Sequence, residues 1–215
     1  MMQASGATRR VPRTGRGEKT RDVLLAAAQE VFWNKGYLDA RVADIAEQAG
    51  VSHGSFYTYF DSKEAVLRAL AADLHDATVE TGRGTRALAE GDEVRAIELA
   101  NRRYLEFYLA NRKAMRLIEE VASHNAEMRK ARLATRRSFA TRSARSLRRM
   151  QAAGICDPGL DPDIAADALV GMVSHFALHM VATGTPFDVD TAVATLTTIW
   201  ARGIGLDVPW NPDPT

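Results

Sequence analysis

The stretch that decides the fold covers residues 44–67 and reads DIAEQAGVSHGSFYTYFDSKEAVL. Apolar residues recur at helical spacing at both of its ends, and a short Gly-Val-Ser segment interrupts the centre. Gly50 is a typical helix stop and Ser52 is a typical N-cap, so the pattern predicts one short helix over about 42–49 and a second over about 53–59. Two short helices joined by a tight turn that contains glycine form a helix-turn-helix.

The second helix of such a motif has the composition of a DNA-reading element. In DNA-binding helix-turn-helix proteins this helix enters the major groove, and its N-terminal residues meet base edges. Here Phe56 and Phe60 are four residues apart and are expected to pack inward, while the other side chains of residues 52–59 offer hydroxyl and imidazole groups. Gly54 would let the start of the helix approach a duplex closely, and Lys63 is placed for a phosphate. Tyr57 and Tyr59 have the alternative of packing between helices.

The segments on either side complete an N-terminal domain. Upstream, the stretch EKTRDVLLAAAQEVFWNKGY (residues 18–37) shows an apolar stripe at helical spacing, and Gly36 is its stop signal. Downstream, a longer helix capped by Asp61 or Ser62 is predicted to extend to about residue 81. We therefore expect a three-helix helix-turn-helix domain over residues 17–78, with the motif itself at about 41–60.

The chain ends are expected to lack regular structure. The chain has 215 residues and a formal net charge of +1, so total charge does not indicate a nucleic-acid partner, but its bases concentrate near the N-terminus. Residues 1–16 hold Gly, Pro, Thr and Arg with little to bury, and they predict a disordered basic arm. This arm either contacts DNA phosphate or has no role. Residues 209–215 form a tail.

The remainder of the chain predicts a larger helical bundle over residues 79–208. The glycine-rich segment after residue 81 is interpreted as a connector, and no strand-like alternation of useful length follows. Apolar periodicity predicts helices over about 93–110, 112–123, 126–152, 162–183 and 189–204. The fold class is therefore all-α.

Several function classes lack support in the sequence. Cys156 is the only cysteine, which excludes an intrachain disulfide and fits a reducing cytoplasm. His175 and His179 are four residues apart and could chelate a metal, but no carboxylate or cysteine lies close in sequence, so core or interface positions are expected. No nucleophile–base pair is present, and we expect neither an enzyme nor a cofactor. The N-terminus has no secretory signal, and no apolar run is long enough to predict a membrane span.

The residues quoted above resemble the signature of the TetR (tetracycline-repressor-like) family of transcriptional regulators. The resemblance extends from about Glu18 to Leu70 and includes the elements Ile-Ala, Ala-Gly-Val-Ser, Gly-x-Phe-Tyr-x-Tyr-Phe and Ser-Lys-Glu in the right order and spacing. It implies a cytoplasmic homodimer that binds double-stranded operator DNA and senses a small molecule. The DNA contacts that it implies fall on Arg41, Ser52, His53, Gly54, Ser55, Tyr57, Thr58, Tyr59 and Lys63. Arg41 replaces the usual Ser or Thr that caps the helix beginning at Val42, and Asp39 is an alternative cap.

The resemblance also implies dimerisation through the last two long helices. Small side chains along one face and apolar area on both helices agree with this expectation, although the same residues could be buried against their own chain. The interface candidates are Ala165, Ala168, Gly171, Met172, His175, Phe176, His179, Ile199 and Trp200.

The middle helices are where an effector is expected. The candidate pocket walls, which an ordinary bundle core would also use, are Tyr104, Phe107, Tyr108, Leu117, Val121, Phe139 and Leu147. The run from Arg129 to Arg149 holds nine bases and no acid. It is either a solvated helix face or a site for an anionic effector such as an acyl-CoA thioester. The function expected is a repressor that a hydrophobic or anionic small molecule releases from a palindromic operator. The alternatives are a regulator whose bundle binds a protein partner and, more remotely, an all-α enzyme that acts on an anionic substrate.

Overall fold

The computed structural model describes residues 15–89, 91–183 and 187–208, and within these ranges the regular structure is helical, with no strand. The helices are α1 (Gly15–Lys35), α2 (Val42–Gln48), α3 (His53–Tyr59), α4 (Lys63–Thr81), α5 (Thr85–Leu88), α6 (Glu93–Ala110), α7 (Arg112–His124), α8 (Ala126–Ala152), α9 (Pro162–Thr183) and α10 (Val189–Gly203). The chain divides into two compact units between Asp73 and Leu74, inside α4. The predicted basic arm lies outside the described residues up to residue 14, whereas Gly15 and Arg16 belong to α1, and the tail at 209–215 also lies outside them.

The first unit is built on one apolar core to which all of its helices contribute. The side chains with almost no exposed surface come from α1, α2, α3 and α4, and they include Leu24, Ala28, Ile45, Phe56 and Val66. Burying a side chain as large as those of Leu24, Ile45 or Phe56 stabilises the fold by about 1.5–3 kcal/mol relative to leaving it exposed. The short helices α2 and α3 are therefore held by packing, since helices of seven residues are not stable alone.

The turn between α2 and α3 depends on backbone conformation as well as packing. Gly50 has φ 65°, a left-handed conformation that residues with a Cβ rarely adopt. This conformation lets the N–H of Val51 donate to the carbonyl of Ala46 at 3.0 Å and so closes α2. Ser52 then starts α3 by accepting a hydrogen bond from the backbone N–H of Ser55 at 3.1 Å. Both features were predicted from the sequence.

The second unit contains two apolar clusters. In the first cluster, buried side chains of α9 and α10, such as Val173 and Leu196, meet Leu105 of α6. In the second, Leu147 and Met150 of α8 pack with Cys156, Ala166 and Ile204. The described residues of this unit thus form a bundle in which α8 packs along α9 and α6 packs along α10.

The helix bounds agree with the sequence in most places and differ in one. The predicted helices over 53–59, 93–110, 126–152 and 162–183 have these bounds in the structure, and the others agree to within three residues. The prediction of an irregular connector after residue 81 was wrong in part, because this segment contains α5. Its N-cap Gly84 has φ 72°, and Thr85 is buried and donates through Oγ1 to the carbonyl of Gly82 at 3.3 Å. A helix of four residues is too short to show periodicity.

Helix α9 corrects the expectation about apolar segments. Within the part of the chain that the structure describes, α9 is the one helix that by length and composition alone could cross a membrane. One such helix is weak evidence for a membrane span, because a core helix meets the same criterion. Val170, Val173, Ala177 and Met180 of α9 are buried within the bundle.

Candidate nucleic-acid interface

Helix α3 is fixed to the first unit by its aromatic residues. Phe56 is fully buried and Phe60 nearly so, and their ring centroids are 6.0 Å apart. The ring of Tyr57 meets Phe56 edge-on at 5.4 Å and His53 at 5.1 Å. Aromatic pairs in this geometry add about 0.5–1.5 kcal/mol beyond their burial. The packing therefore orients the His53 and Tyr57 side chains as well as the helix.

The opposite face of α3 carries most of the predicted DNA-contacting residues. Ser52, His53, Gly54, Tyr57 and Thr58 are exposed. Ser55 and Tyr59 are half-buried, so the structure gives them a smaller part of this face. The exposed groups include a hydroxyl, a phenol and an imidazole, which are the donors and acceptors that read base edges or phosphates.

Gly54 has no structural reason to be glycine. A Cβ built at this position would have Ser52 Oγ as its nearest neighbour, 4.0 Å away, and would otherwise meet open space. Its backbone does not adopt the left-handed conformation. Because glycine in a helix costs about 0.5–1 kcal/mol relative to alanine, its presence on the exposed face needs another explanation.

The phosphate contact expected of Lys63 does not fit the structure. Its ammonium donates to the backbone carbonyls of Tyr37, Leu38 and Ala40 at 2.8, 3.0 and 2.9 Å. An ammonium has three protons, and these bonds use all of them. We therefore revise the role of Lys63 from a phosphate contact to a link between α4 and the turn that follows α1.

Arg41 occupies the N-cap position of α2, and its own side chain makes no cap bond. Instead, Asp44 in the first turn of α2 accepts from the backbone N–H of Arg41 at 2.9 Å. Asp44 also pairs with Lys35 at 2.9 Å. The predicted alternative cap, Asp39, was wrong, because the carboxylate that closes the start of α2 comes from inside the helix. The Arg41 side chain is exposed.

Tyr37 contributes to this unit a contact that was not predicted from the sequence. It is buried, and its ring centroid lies 4.7 Å from the Nζ of Lys63. Burial, and then the neighbouring carboxylate of Glu64, raise the pKa of its phenol well above the ordinary value. A residue 26 positions before its partner leaves no local sequence signal.

The predicted effector residues separate into two places in the second unit. The centroids of the Tyr104 and Tyr108 rings are 5.1 Å apart, and Phe139 meets Tyr104 edge-on at 5.6 Å. Leu147 belongs instead to the cluster with Cys156 and Ile204. Leu117 and Val121 are buried, and Phe107 is half-buried.

The residues proposed for a dimer interface also divide in two. Met172, Phe176 and Trp200 pack against the first apolar cluster of their own chain, and Ala165 packs against the second. Gly171 lies beneath the guanidinium of Arg136 from α8. The exposed members are Ala168, His175, His179 and Ile199. In the parts of the chain that the structure describes, no three His, Cys, Asp or Glu side chains cluster as a metal site would require.

The fold and the exposed face of α3 define a helix-turn-helix DNA-binding protein. Residues 24–70 match the family model described as bacterial regulatory proteins, tetR family. The chain is 30% identical over 177 residues to the uncharacterized HTH-type transcriptional regulator YdgC of Bacillus subtilis, and the match covers 79% of this chain and 85% of YdgC. The chain therefore belongs to the tetR family of transcriptional regulators.

Solved structures show the same fold over most of the chain. The fatty acid degradation regulator FadR from Bacillus halodurans superposes with a TM-score of 0.70 at 20% identity, covering 87% of this chain and 97% of FadR. The complex of SmeT with triclosan superposes with a TM-score of 0.71 at 21% identity, covering 92% of this chain and 99% of SmeT. At these identities the similarity concerns the fold.

Proposed function

We propose that this regulator is a homodimeric repressor that a small molecule releases from a palindromic operator. The observation that carries the proposal is the exposed polar face of α3, formed by His53, Gly54, Tyr57 and Thr58 over the buried Phe56. In a symmetric dimer two such helices would enter successive major grooves about 34–36 Å apart. Arg41 is the cation that we now assign to a phosphate in place of Lys63.

Two exposed apolar residues support self-association of the second unit. Ile164 of α9 is 72% exposed and Ile199 of α10 is 49% exposed. Ala168, His175 and His179 lie on the same exposed side of α9 as Ile164, at intervals of four, eleven and fifteen residues. Removing such surface from water stabilises a dimer by about 25 cal/mol per Å² before the cost of association is subtracted.

The tyrosines of α6 support a small-molecule site. Desolvation is the main cause that raises the pKa of both the Tyr104 and the Tyr108 phenols, which places them away from bulk water. Both side chains nevertheless keep accessible surface. The two rings and the Phe139 ring form one partly accessible aromatic group, and this is the surface to which we assign an apolar ligand. The triclosan complex of SmeT, which has this fold, agrees with a site of this kind.

The experiment that tests the proposal is a footprint on the promoter next to the regulator's own gene. We expect protection of two half-sites about one helical turn or a multiple of it apart. Tyr57→Phe removes only the phenol oxygen, and we expect it to lower the preference for this site over random duplex by roughly tenfold. An unprotected promoter, or a preference unchanged in both Tyr57→Phe and His53→Ala, would contradict the assignment of α3.

Sedimentation tests the oligomeric state separately. We expect the wild-type protein to sediment at twice the chain mass of 23.5 kDa and Ile199→Glu to shift it toward the monomer. Leu133→Glu is the matched control, because Leu133 is 52% exposed on α8, which is not one of the two helices proposed for the interface. An Ile199→Glu protein that stays dimeric would place the interface elsewhere.

A further inference from the structure

Arg142 of α8 differs from the other bases of its helix in how deeply its guanidinium is placed. The side chain is half-buried, its Cζ lies 5.0 Å from the centroid of the Phe139 ring, and Nη1 donates to the carbonyl of Val79 at 2.9 Å. The guanidinium lies directly against Gly82, where a Cβ would overlap it. The absence of a side chain at Gly82 therefore makes the room that Arg142 occupies.

Among the residues that the structure describes, no carboxylate pairs with Arg142 as acids do with other arginines of α8. Three other arginines of α8 pair with acids: Arg132 with Glu119, Arg136 with Asp167, and Arg148 with Asp163. Within the described residues, no carboxylate oxygen lies within 4 Å of Arg142. Burial, and then the nearby charge of Arg83, lower the pKa of Arg142, while Glu80 opposes them. Glu80 pairs with Arg83 at 3.1 Å, so its carboxylate is already engaged by another guanidinium.

An unneutralised guanidinium in a partly dry site favours an anionic partner. Desolvating a charge is unfavourable unless a counter-ion compensates for it. The Val79 carbonyl near the end of α4 supplies only a partial negative charge. The planar fork of arginine fits a carboxylate through two parallel hydrogen bonds.

Phe139 joins this positive charge to the aromatic pair of α6. Its ring contacts the Arg142 guanidinium and the Tyr104 ring, and Tyr104 contacts Tyr108 in turn. We propose that the effector is an amphiphilic organic carboxylate whose anionic group binds Arg142 and whose apolar part lies against Phe139 and Tyr104. This inference rests on the proposed small-molecule site and assigns a chemical class to its ligand.

Three probes that share a ten-carbon chain test the head group: sodium decanoate, 1-decanol and decylamine, each below micelle-forming concentrations. We expect decanoate to raise the Tm of the full-length protein, decanol to raise it less and decylamine to have the smallest effect, because ligand binding stabilises the folded state. By titration calorimetry, Arg142→Gln should reduce the preference for decanoate over decanol about tenfold.

Further variants separate the charge from its placement. Arg142→Lys keeps the positive charge but lacks the planar guanidinium, so we expect a preference for decanoate over decanol between those of the wild type and Arg142→Gln. Gly82→Ala keeps arginine but displaces its flexible end, and we expect a loss of preference similar to that in Arg142→Gln. Arg145→Gln is the matched control, since Arg145 is exposed three residues further along α8, and its preference should equal that of the wild type.

The inference is overturned if none of the probes binds, if decanoate and decanol bind equally, or if the preference survives in Arg142→Gln and Gly82→Ala. If circular dichroism shows that Arg142→Gln does not fold, the head-group preferences of Gly82→Ala and Arg142→Lys test the inference instead. Operator binding, measured by fluorescence anisotropy without probes, keeps the two proposals apart. A protein that binds its operator and is released only by uncharged compounds retains the proposed function and refutes the carboxylate.

Discussion

Lys63 and Tyr37 are joined twice: the Lys63 ammonium donates to the Tyr37 carbonyl at 2.8 Å, and it lies 4.7 Å from the centroid of the Tyr37 ring. The same ammonium reaches the carbonyls of Leu38 and Ala40. The start of α4 is thereby fixed to the turn after α1, and this turn leads directly into α2. Lys63 thus stabilises the position of the helix-turn-helix without facing DNA. We expect its loss to lower the stability of the fold more than it changes the contacts with DNA.

We expect Lys63→Met to lower the free energy of unfolding by roughly 1.5–3 kcal/mol, because three carbonyls lose a charged donor. The salt dependence of DNA binding should stay that of the wild type, since no phosphate contact is removed. Urea unfolding and a salt titration of operator affinity measure the two quantities. Arg41→Ala is the comparison and should reduce the salt slope by about one. A reduced slope in Lys63→Met would restore the phosphate role.

Ser52→Ala removes the N-cap of α3, where Ser52 Oγ accepts from the Ser55 N–H at 3.1 Å. We expect a loss of about 1 kcal/mol of stability and weaker operator binding, because α3 is only seven residues long. Ser52→Asp should restore stability, since aspartate caps equally well. Its added negative charge should still weaken binding to DNA. Equal stability of Ser52→Ala and the wild type would show that packing alone holds α3.

Gly54→Ala should move stability and function in opposite directions. Alanine is the better helix former and has open space at this position, so we expect unfolding stability to rise by about 0.5–1 kcal/mol. The added methyl group would stand between the helix and the duplex, so operator affinity should fall. Thermal unfolding and a binding isotherm on the same sample measure both. Unchanged affinity would mean that the start of α3 does not approach DNA closely.

The interactions of Asp44 lead us to expect that the stability of the fold decreases at acidic pH. Hydrogen bonds from Lys35 and from the Arg41 backbone lower its pKa. A lowered folded-state pKa contributes stability that is present above the unfolded value, about 3.9, and is lost as the pH falls through the folded value. The Tm of Asp44→Asn should therefore fall less than that of the wild type below about pH 4. Lys35→Met should flatten the profile in part, and identical profiles in all three proteins would contradict this account.

The Asn101 amide donates to Thr197 Oγ1 at 3.1 Å, and both residues are buried between α6 and α10. Thr197→Val leaves the amide without this partner, and we expect a cost of about 1–3 kcal/mol. Asn101→Leu combined with Thr197→Val should cost less than the sum of the single changes, because neither polar group remains buried alone. Additive costs in urea unfolding would show that the two side chains do not interact.

The sequence alone determined the local features of this protein. Gly50 and Ser52 mark the turn and the cap by residue type, since only a few residues tolerate a left-handed backbone or bond the first turn of a helix. Phe56 and Phe60 follow the helical period and are buried as predicted. Helices with apolar periodicity were located to within three residues for the same reason.

Only the tertiary structure decided which side chains meet across the chain. Lys63 looked available for a phosphate because its three carbonyl partners lie 23–26 positions upstream, and no local pattern encodes that distance. Leu147 and Tyr104 were both predicted to line the effector pocket, but Tyr104 packs against the first apolar cluster and Leu147 belongs to the second. The sequence did not distinguish Arg142 from the other eight bases of its run, whereas the structure shows that Gly82 and Phe139 lie beside it. Periodicity gives the face of a helix, whereas the partner of that face depends on how the helices pack.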